Sequence, residues 1–176
     1  MLFTTNYISP IGNISILTNQ DALLHLAIAG QSFPNDLVKK CINTNNELEI
    51  INATTDWLDA YFAGKKPSVS SLVLAPQGSA FRQNVWELLL QIPYGVVRTY
   101  GDIAKEIAAK KGIAKMASQA IGGAVGHNPI PIIIPCHRVI GANRNLTGYS
   151  GGIDLKLKLL AHEGFDVTKL SMPKRH

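Results

Sequence analysis

The sequence predicts a chain in two parts, an α/β N-terminal domain over residues 1–75 and a mainly α C-terminal domain over residues 76–170 built around a helix-turn-helix. Three observations predict it. Short apolar runs at strand spacing occupy the first thirty residues, and Pro67, Pro76, Gly78 and a cluster of serines then interrupt the pattern between Lys65 and Ser79. Beyond that interruption the apolar residues recur every three or four positions, as on a helix face.

Phe3 to Tyr7, Ile11 to Leu17 and Leu23 to Ile28 read as strands, the first two joined through Ser9-Pro10-Ile11-Gly12. Two helices follow, Asp36 to Ile42 and one that starts after Thr54 or Thr55, carries Trp57, Leu58, Tyr61 and Phe62 on one stripe and stops at Gly64. After the linker, Ser79 is placed to cap a helix bearing Phe81, Val85, Leu88, Leu89 and Ile92, which Pro93 ends. Thr99-Tyr100-Gly101-Asp102 has capping-box spacing and opens a helix with Ile103, Ala104, Ile107 and Ala108, broken at Gly112. A further helix over roughly Lys115 to Val125 packs through Met116, Ala120, Ile121 and Ala124. Two short helices about a glycine turn make the outline of a helix-turn-helix. The small residues Ala117, Ser118, Ala120, Gly122, Gly123 and Ala124 suit either close approach to a groove or tight packing on the protein's own core.

Composition narrows the class. With 46% hydrophobic residues in 176, the chain can bury a core. Its longest apolar runs, Ala22 to Ala29 and Ile130 to Pro135, are too short for a membrane span, and Met1 to Pro10 lacks the form of a signal peptide. A soluble cytoplasmic protein is expected. The two cysteines, Cys41 and Cys136, are too far apart for a close-spaced metal site, and His25, His127, His137, His162 and His176 show no i, i+4 ligand pair, so no metal is expected. The net charge of +5 is compatible with a polyanionic partner. Lys105, Lys110, Lys111 and Lys115 fit either a phosphate-binding surface or a plain solvated helix face.

The chemistry lies in Asn128-Pro129-Ile130-Pro131-Ile132-Ile133-Ile134-Pro135-Cys136-His137-Arg138, read as a buried apolar strand that delivers a cysteine. Free cysteine is often a small buried hydrophobe; as a nucleophile it needs a base or positive surroundings that favour thiolate. Adjacent side chains on a strand point to opposite faces, so His137 would act on Cys136 through one water, with its other nitrogen fixed by a carboxylate. Glu163 is the candidate, at the end of a helix that packs through Ile153, Leu157, Leu160 and Ala161 and closes at Gly164; a surface carboxylate is the plain alternative. The glycine-rich stretch from Gly141 to Gly152, with Tyr149 and Ser150, suits a ligand loop or a mobile surface loop.

Pro135-Cys136-His137-Arg138-Val139, with Asn128-Pro129 before it and Tyr149-Ser150-Gly151-Gly152 and Leu160-Ala161-His162-Glu163-Gly164 after it, resembles the O⁶-alkylguanine-DNA alkyltransferase family. Ile92-Pro93-Tyr94-Gly95, Thr99-Tyr100-Gly101, Ile121-Gly122-Gly123-Ala124 and Tyr61-Phe62-Ala63-Gly64 extend the resemblance upstream. It implies a ribonuclease-H-like N-terminal domain and a winged-helix-like C-terminal domain. It implies irreversible transfer of an alkyl group from O⁶-alkylguanine, and from O⁴-alkylthymine, in double-stranded DNA to Cys136, by a monomer that needs no cofactor and is able to cooperate along DNA. By the same resemblance His137 is the water-relayed base, Glu163 orients it, Asn128 holds the turn, and Tyr100 donates to the departing base. The Val139 carbonyl and the Ser150 N–H recognise the base, and Tyr149 walls its pocket. Ala117, Ser118, Gln119, Ala120, Gly122 and Arg138 are the expected DNA contacts. Gln119 stands where many members carry an arginine that fills the space of the rotated nucleotide, and the stretch from Lys110 to Met116 is longer than usual. The cysteines that hold zinc in some members are absent, which leaves Cys41 a structural residue. A cysteine hydrolase and a non-reacting reader of alkylated bases are the rival classes; the adjacency of Cys136 and His137 argues against the first, and the presence of Cys136 against the second.

Overall fold

Strand β1 (Leu2–Ser9) turns into β2 (Gly12–Thr18) through two residues, Pro10 and Ile11, so that Ser9 pairs with Gly12. Gly12 takes φ +112°, and the Ser9 hydroxyl both accepts from the Ile11 N–H and donates to the Gly12 carbonyl, closing the turn. The structure is a computed structural model that describes residues 1–28, 30–43 and 48–173; Ala29, the end of the first apolar run, and His176 lie outside them. Strand β3 (Leu23–Ile28) adds antiparallel to β2, and β4 (Cys41–Asn43) adds parallel to β1, giving the order β3-β2-β1-β4. Ile14 and Ile16 pair across to Ile28 and Leu26 and are buried on one face. On the other face Leu17, Ala27 and Phe33 make a second cluster with Leu2, Leu24, Leu37 and Cys41. Helix α1 (Asn35–Val38) is a single turn, and α2 (Glu49–Phe62) packs across β1, β2 and β3 through Ile50, Ile51, Thr54, Trp57, Leu58 and Tyr61. Gly64, at φ +73°, ends α2 with the Lys65 N–H bonded back to the Ala60 carbonyl.

Two of these elements differ from the sequence expectation. The segment from Asp36 to Ile42 is helical only to Val38, because Cys41 to Asn43 gains a partner along β1 that a continued helix would forgo. Helix α2 begins at Glu49, a turn and a half before Thr54, and Phe62 is only partly buried. The linker is also bound along much of its length. Val73 and Ala75 exchange backbone hydrogen bonds with Leu23, and the Trp57 indole donates to the Ser68 carbonyl at 3.1 Å. These parts form one unit, Met1–Gln77 with Pro129–Pro131, whose Pro129 carbonyl accepts from the Leu26 N–H.

The second unit is Gly78–Asn128 with Ile132–His176. Helix α3 (Ala80–Leu90) is capped by the Ser79 hydroxyl and buries Trp86, whose indole donates to the Ala124 carbonyl. Gly78 lies against that indole so closely that a β-carbon would sit 2.5 Å from it. Helix α4 (Tyr100–Lys111) opens on a full capping box, in which the Thr99 hydroxyl accepts from the Asp102 N–H and the Asp102 carboxylate accepts from the Thr99 N–H. Gly112 ends it at φ +63°. Helix α5 (Ser118–Gly126) starts three residues later than Lys115, after an irregular connector, and buries Ile121, Ala124 and Val125. Met116, which precedes the helix, is half-buried and Ala120 faces solvent, contrary to the packed role expected of them; the buried stripe runs through Ile121, Ala124 and Val125 instead.

A two-residue parallel ladder joins the site together. Strand β5 (Arg98–Thr99) runs into Tyr100, β6 (Val139–Ile140) follows the 3₁₀ turn Cys136–Arg138, and pairing Arg98 with Val139 sets the start of α4 beside the cysteine turn. Helix α6 (Ile153–His162) completes the unit; its buried face is Leu155, Lys156, Leu159 and Leu160, whereas Ile153 and Leu157 are half-buried and Ala161 is exposed. Replacing Thr99 by alanine removes the cap that fixes Tyr100 and is expected to cost about 1 kcal/mol of stability. Chemical denaturation of the full chain checks it.

Candidate active site

The apolar run before Cys136 is a turn, not a strand. Ile132 takes φ +73°, a conformation that branched side chains rarely adopt, and it is fully buried. Such strain costs on the order of 1–3 kcal/mol and must be over-determined by its surroundings. Ile130, Ile133 and Ile134 are buried too, and Asn128 clamps the turn by donating from Nδ2 to the Ile134 carbonyl at 2.8 Å. A turn folds there because the strand-forming isoleucines are interrupted by Pro129, Pro131 and Pro135, which cannot donate to a ladder.

Cys136 emerges from this turn with 3% exposure. Burial pushes its thiol up, while hydrogen bonds from Asn128 and Tyr149 and the charge of Lys156 favour the ionised sulfur. Tyr149 Oη lies 4.0 Å from Sγ. Tyr149 and Asn128 therefore both reach the sulfur.

His137 is fully buried, and its Nε2 meets Glu163 Oε1 at 2.6 Å. A carboxylate partner holds the proton on Nε2, which leaves Nδ1 as the basic nitrogen, and that atom has no hydrogen-bond partner among the described residues. Burial lowers the pKa of the imidazole despite the carboxylate, which favours the uncharged ring. Glu163 is shared with Arg138, whose Nε and Nη2 reach its two oxygens at 2.8 and 2.9 Å, and with the Gly95 N–H at 3.0 Å. Burial alone would raise Glu163, yet the hydrogen bonds of His137 and Arg138 prevail and hold the carboxyl far below the usual range. Gly95 has φ +74°, and a β-carbon on it would lie 2.7 Å from the Glu163 carbonyl oxygen, so only glycine fits.

Arg138, expected to contact DNA, is turned into the protein. It is 8% exposed, its remaining Nη1 donates to the Ile92 carbonyl at 2.6 Å, and its guanidinium rests 5.7 Å from the Tyr94 ring. Each of its three nitrogens thus donates a hydrogen bond inside the protein. The Val139 carbonyl is likewise engaged, accepting from Lys156 Nζ at 2.6 Å, with one lone pair left for a ligand. Lys156 is fully buried, and burial lowers it to about 8. Sequence reasoning passed over it. The signal was its spacing, four residues before Leu160 and seven before Glu163, which puts all three on one helix face.

Between the start of α4, the first turns of α5 and the loop after β6 opens a cleft of about 790 Å³ lined by Tyr100, Ser118, Gln119, Gly122, Thr147 and Gly148 among others. Ala117, Ser118, Gln119 and Ala120 are exposed, Gly122 is half-buried against the Tyr100 ring, and Ser150 faces solvent. Of the central lysines, Lys110 lies 3.9 Å from Glu106 and Lys111 sits over the Phe81 ring, whereas Lys105 and Lys115 are exposed. Among the described residues no cluster of three or more His, Cys, Asp or Glu could hold a metal, and no helix is long and apolar enough to cross a membrane.

Comparison with known proteins bears directly on this arrangement. Residues 80–165 match the family described as 6-O-methylguanine DNA methyltransferase, DNA binding domain, and residues 2–76 match 6-O-methylguanine DNA methyltransferase, ribonuclease-like domain. The methylated-DNA–protein-cysteine methyltransferase of Methanosarcina acetivorans is 43% identical over 156 residues, covering 89% of this chain and 94% of its own. That of Haemophilus influenzae is 38% identical over 163 residues, covering 92% and 86%. In structure, the chain is similar to the Mycobacterium tuberculosis O⁶-methylguanine methyltransferase, with a TM-score of 0.78 and 39% identity over 93% of each chain. A structure of the same organism's protein in complex with DNA gives a TM-score of 0.77 at 38% identity, covering 96% and 94%. With two matched domains, full-length relatives and a buried cysteine followed by a histidine paired with a glutamate, this chain belongs to the 6-O-methylguanine DNA methyltransferase family.

Proposed function

We propose that this protein repairs alkylated DNA by direct reversal, taking the alkyl group from O⁶-alkylguanine onto Cys136, and that it also accepts O⁴-alkylthymine. The observation that carries the reading is a buried Cys136, reached by Asn128 and Tyr149, followed directly in the chain by a buried His137 whose Nε2 is locked to Glu163. The thiol proton passes through one water to His137 Nδ1, and Glu163 stabilises the imidazolium that results. The sulfur then attacks the alkyl carbon; the S–C bond forms as the C–O bond breaks, and the C–O electron pair leaves with the base. Tyr100, on the cleft wall, donates to that base and offsets its growing charge. The S–C bond of the thioether product is stable to water. Each molecule is therefore spent by one lesion, with no cofactor.

The pair α4 and α5 acts as the helix-turn-helix of a winged-helix-like domain, with Ala117, Ser118, Gln119, Ala120 and Gly122 against the minor groove. The first unit is ribonuclease-H-like. The damaged nucleotide rotates out of the duplex, and the Val139 carbonyl, the Ser150 N–H and the Tyr149 ring receive it. The protein binds as a monomer and adds cooperatively along DNA. Support comes from the exposure of the α5 N-terminal face, and from the relative crystallised in complex with DNA.

Incubation with a duplex carrying O⁶-methylguanine should add one methyl mass per chain, mapped to the peptide of Cys136. The Cys136→Ala variant should bind the duplex and gain no mass; methyl mapped to Cys41 would overturn the assignment.

Glu163→Gln should slow transfer and reduce stability at neutral pH by about 3–5 kcal/mol, because the buried Arg138 loses its counter-charge. The pH dependence has a definite sign. Glu163 is depressed in the folded protein, so its contribution is fully present above the unfolded carboxyl pKa of about 4.3 and is lost as pH falls toward the folded value. Melting temperatures measured against pH should fall more steeply in acid for the wild type than for Glu163→Gln.

Gln119 reaches the cleft from α5, where it is placed to fill the stack that the nucleotide leaves. It hydrogen-bonds the orphaned base but lacks the stacking and charge of arginine. Gln119→Arg should speed repair in duplex DNA and Gln119→Ala should slow it, while reaction with free O⁶-benzylguanine stays unchanged in both. Equal slowing with the free base would show that Gln119 does not act on the stack.

A further inference from the structure

Thr147, on the loop after β6, has no part in the chemistry described so far. Its hydroxyl donates to Tyr100 Oη at 3.0 Å. The contact is built from both sides. Leu146, 1% exposed, anchors the loop by donating its N–H to the Ser171 carbonyl at 2.8 Å. Gly141 passes so close behind Thr147 that a β-carbon there would lie 2.9 Å from the Thr147 methyl and 3.1 Å from the Asn145 carbonyl. Across the ring stands Gly122 of α5, where an added β-carbon would come to 3.9 Å from the Tyr100 ring. The phenol is thus held between α5 and the loop, with both Tyr100 and Thr147 on the cleft wall.

A phenol oxygen accepts as well as donates. When Thr147 supplies a proton to that oxygen, the phenol's own proton has to point elsewhere, and the open side is the cleft. Accepting one hydrogen bond also strengthens the one it donates.

We propose that Thr147 is a positioning residue for the departing base: by donating to Tyr100 Oη it directs the phenol proton into the cleft and makes Tyr100 a stronger donor. The inference rests on the role given to Tyr100 above. As the C–O bond breaks and its electron pair enters the base, the polarised phenol meets the new charge. The proton already released from Cys136 to His137 balances the one that the base takes up. Burial raises the Tyr100 phenol, the Thr147 hydrogen bond lowers it, and the neighbouring Cys136 raises it, so the threonine is the group that opposes the other two.

The test is single-turnover transfer from an O⁶-methylguanine duplex, with the ionisation of isotope-labelled Tyr100 followed by NMR. Thr147→Val keeps the shape and removes the hydroxyl; it should slow transfer on the order of 2- to 10-fold and raise the pH at which Tyr100 ionises. Thr147→Ser should restore both. Tyr100→Phe should slow transfer on the order of 100-fold, and adding Thr147→Val to it should change nothing further. A Tyr100→Phe variant at wild-type rate would overturn the reading of Tyr100 itself. A slow Tyr100→Phe with an unchanged Thr147→Val, or a Thr147→Val loss that persists in the Tyr100→Phe background, would overturn the role of Thr147. If Thr147→Val does not fold, the comparison of Thr147→Ala with Thr147→Ser in the same two backgrounds reads the same outcomes.

Discussion

A carboxylate closed off from water must have its lone pairs met by donors, and the second unit is organised around meeting those of Glu163. His137, Arg138 and Gly95 do so from two different places in the chain, the first two from the cysteine turn and the third from the turn before β5. Each donor constrains something else. His137 receives its tautomer, Arg138 ties the turn to the carbonyl of Ile92, and Gly95 must leave its β-position empty because the backbone of Glu163 is there. A buried ion pair is weak evidence for stability, since replacing both partners by apolar groups is often neutral or better. What this one secures is geometry: without it nothing would select between the two nitrogens of His137.

The thiol sits in a balance of opposing effects. Burial keeps it protonated, and Asn128, Tyr149 and Lys156 oppose burial. Lys156 is an unusual participant, a fully buried ammonium whose recorded hydrogen bond goes to the Val139 carbonyl. With its pKa brought down to about 8, its positive charge is fully present only in neutral and acidic solution. The nucleophile is thus favoured by a charge that thins out in base, the range in which thiols elsewhere gain reactivity.

How much of this could be read from the chain depends on whether the signal was local. Capping chemistry was legible, because Ser79, Thr99 with Asp102, and Gly112 act on backbone within three or four residues of themselves. So were the three strands and the pairing of His137 with Glu163, the latter through resemblance to a family. What could not be read depended on distant partners. Cys41 to Asn43 became a strand because β1 offered an edge, and the isoleucines before Cys136 became a turn because prolines and Asn128 held them in one. Arg138 looked like a surface cation until Glu163 and Ile92 claimed its donors. Lys156 was hidden by its residue type, for lysine is seldom buried, and the packed face of α6 was read one position off in consequence.

The placement of Glu163 also has a bearing on how the protein is made. The residue lies 26 positions after His137, at the C-terminal cap of α6, so the ribosome delivers the cysteine well before the group that prepares its base. A nascent chain holding Cys136 without α6 has its histidine unlocked and its arginine unpaired. Chains that end before α6 would therefore hold Cys136 and His137 without the carboxylate that sets the tautomer of the histidine.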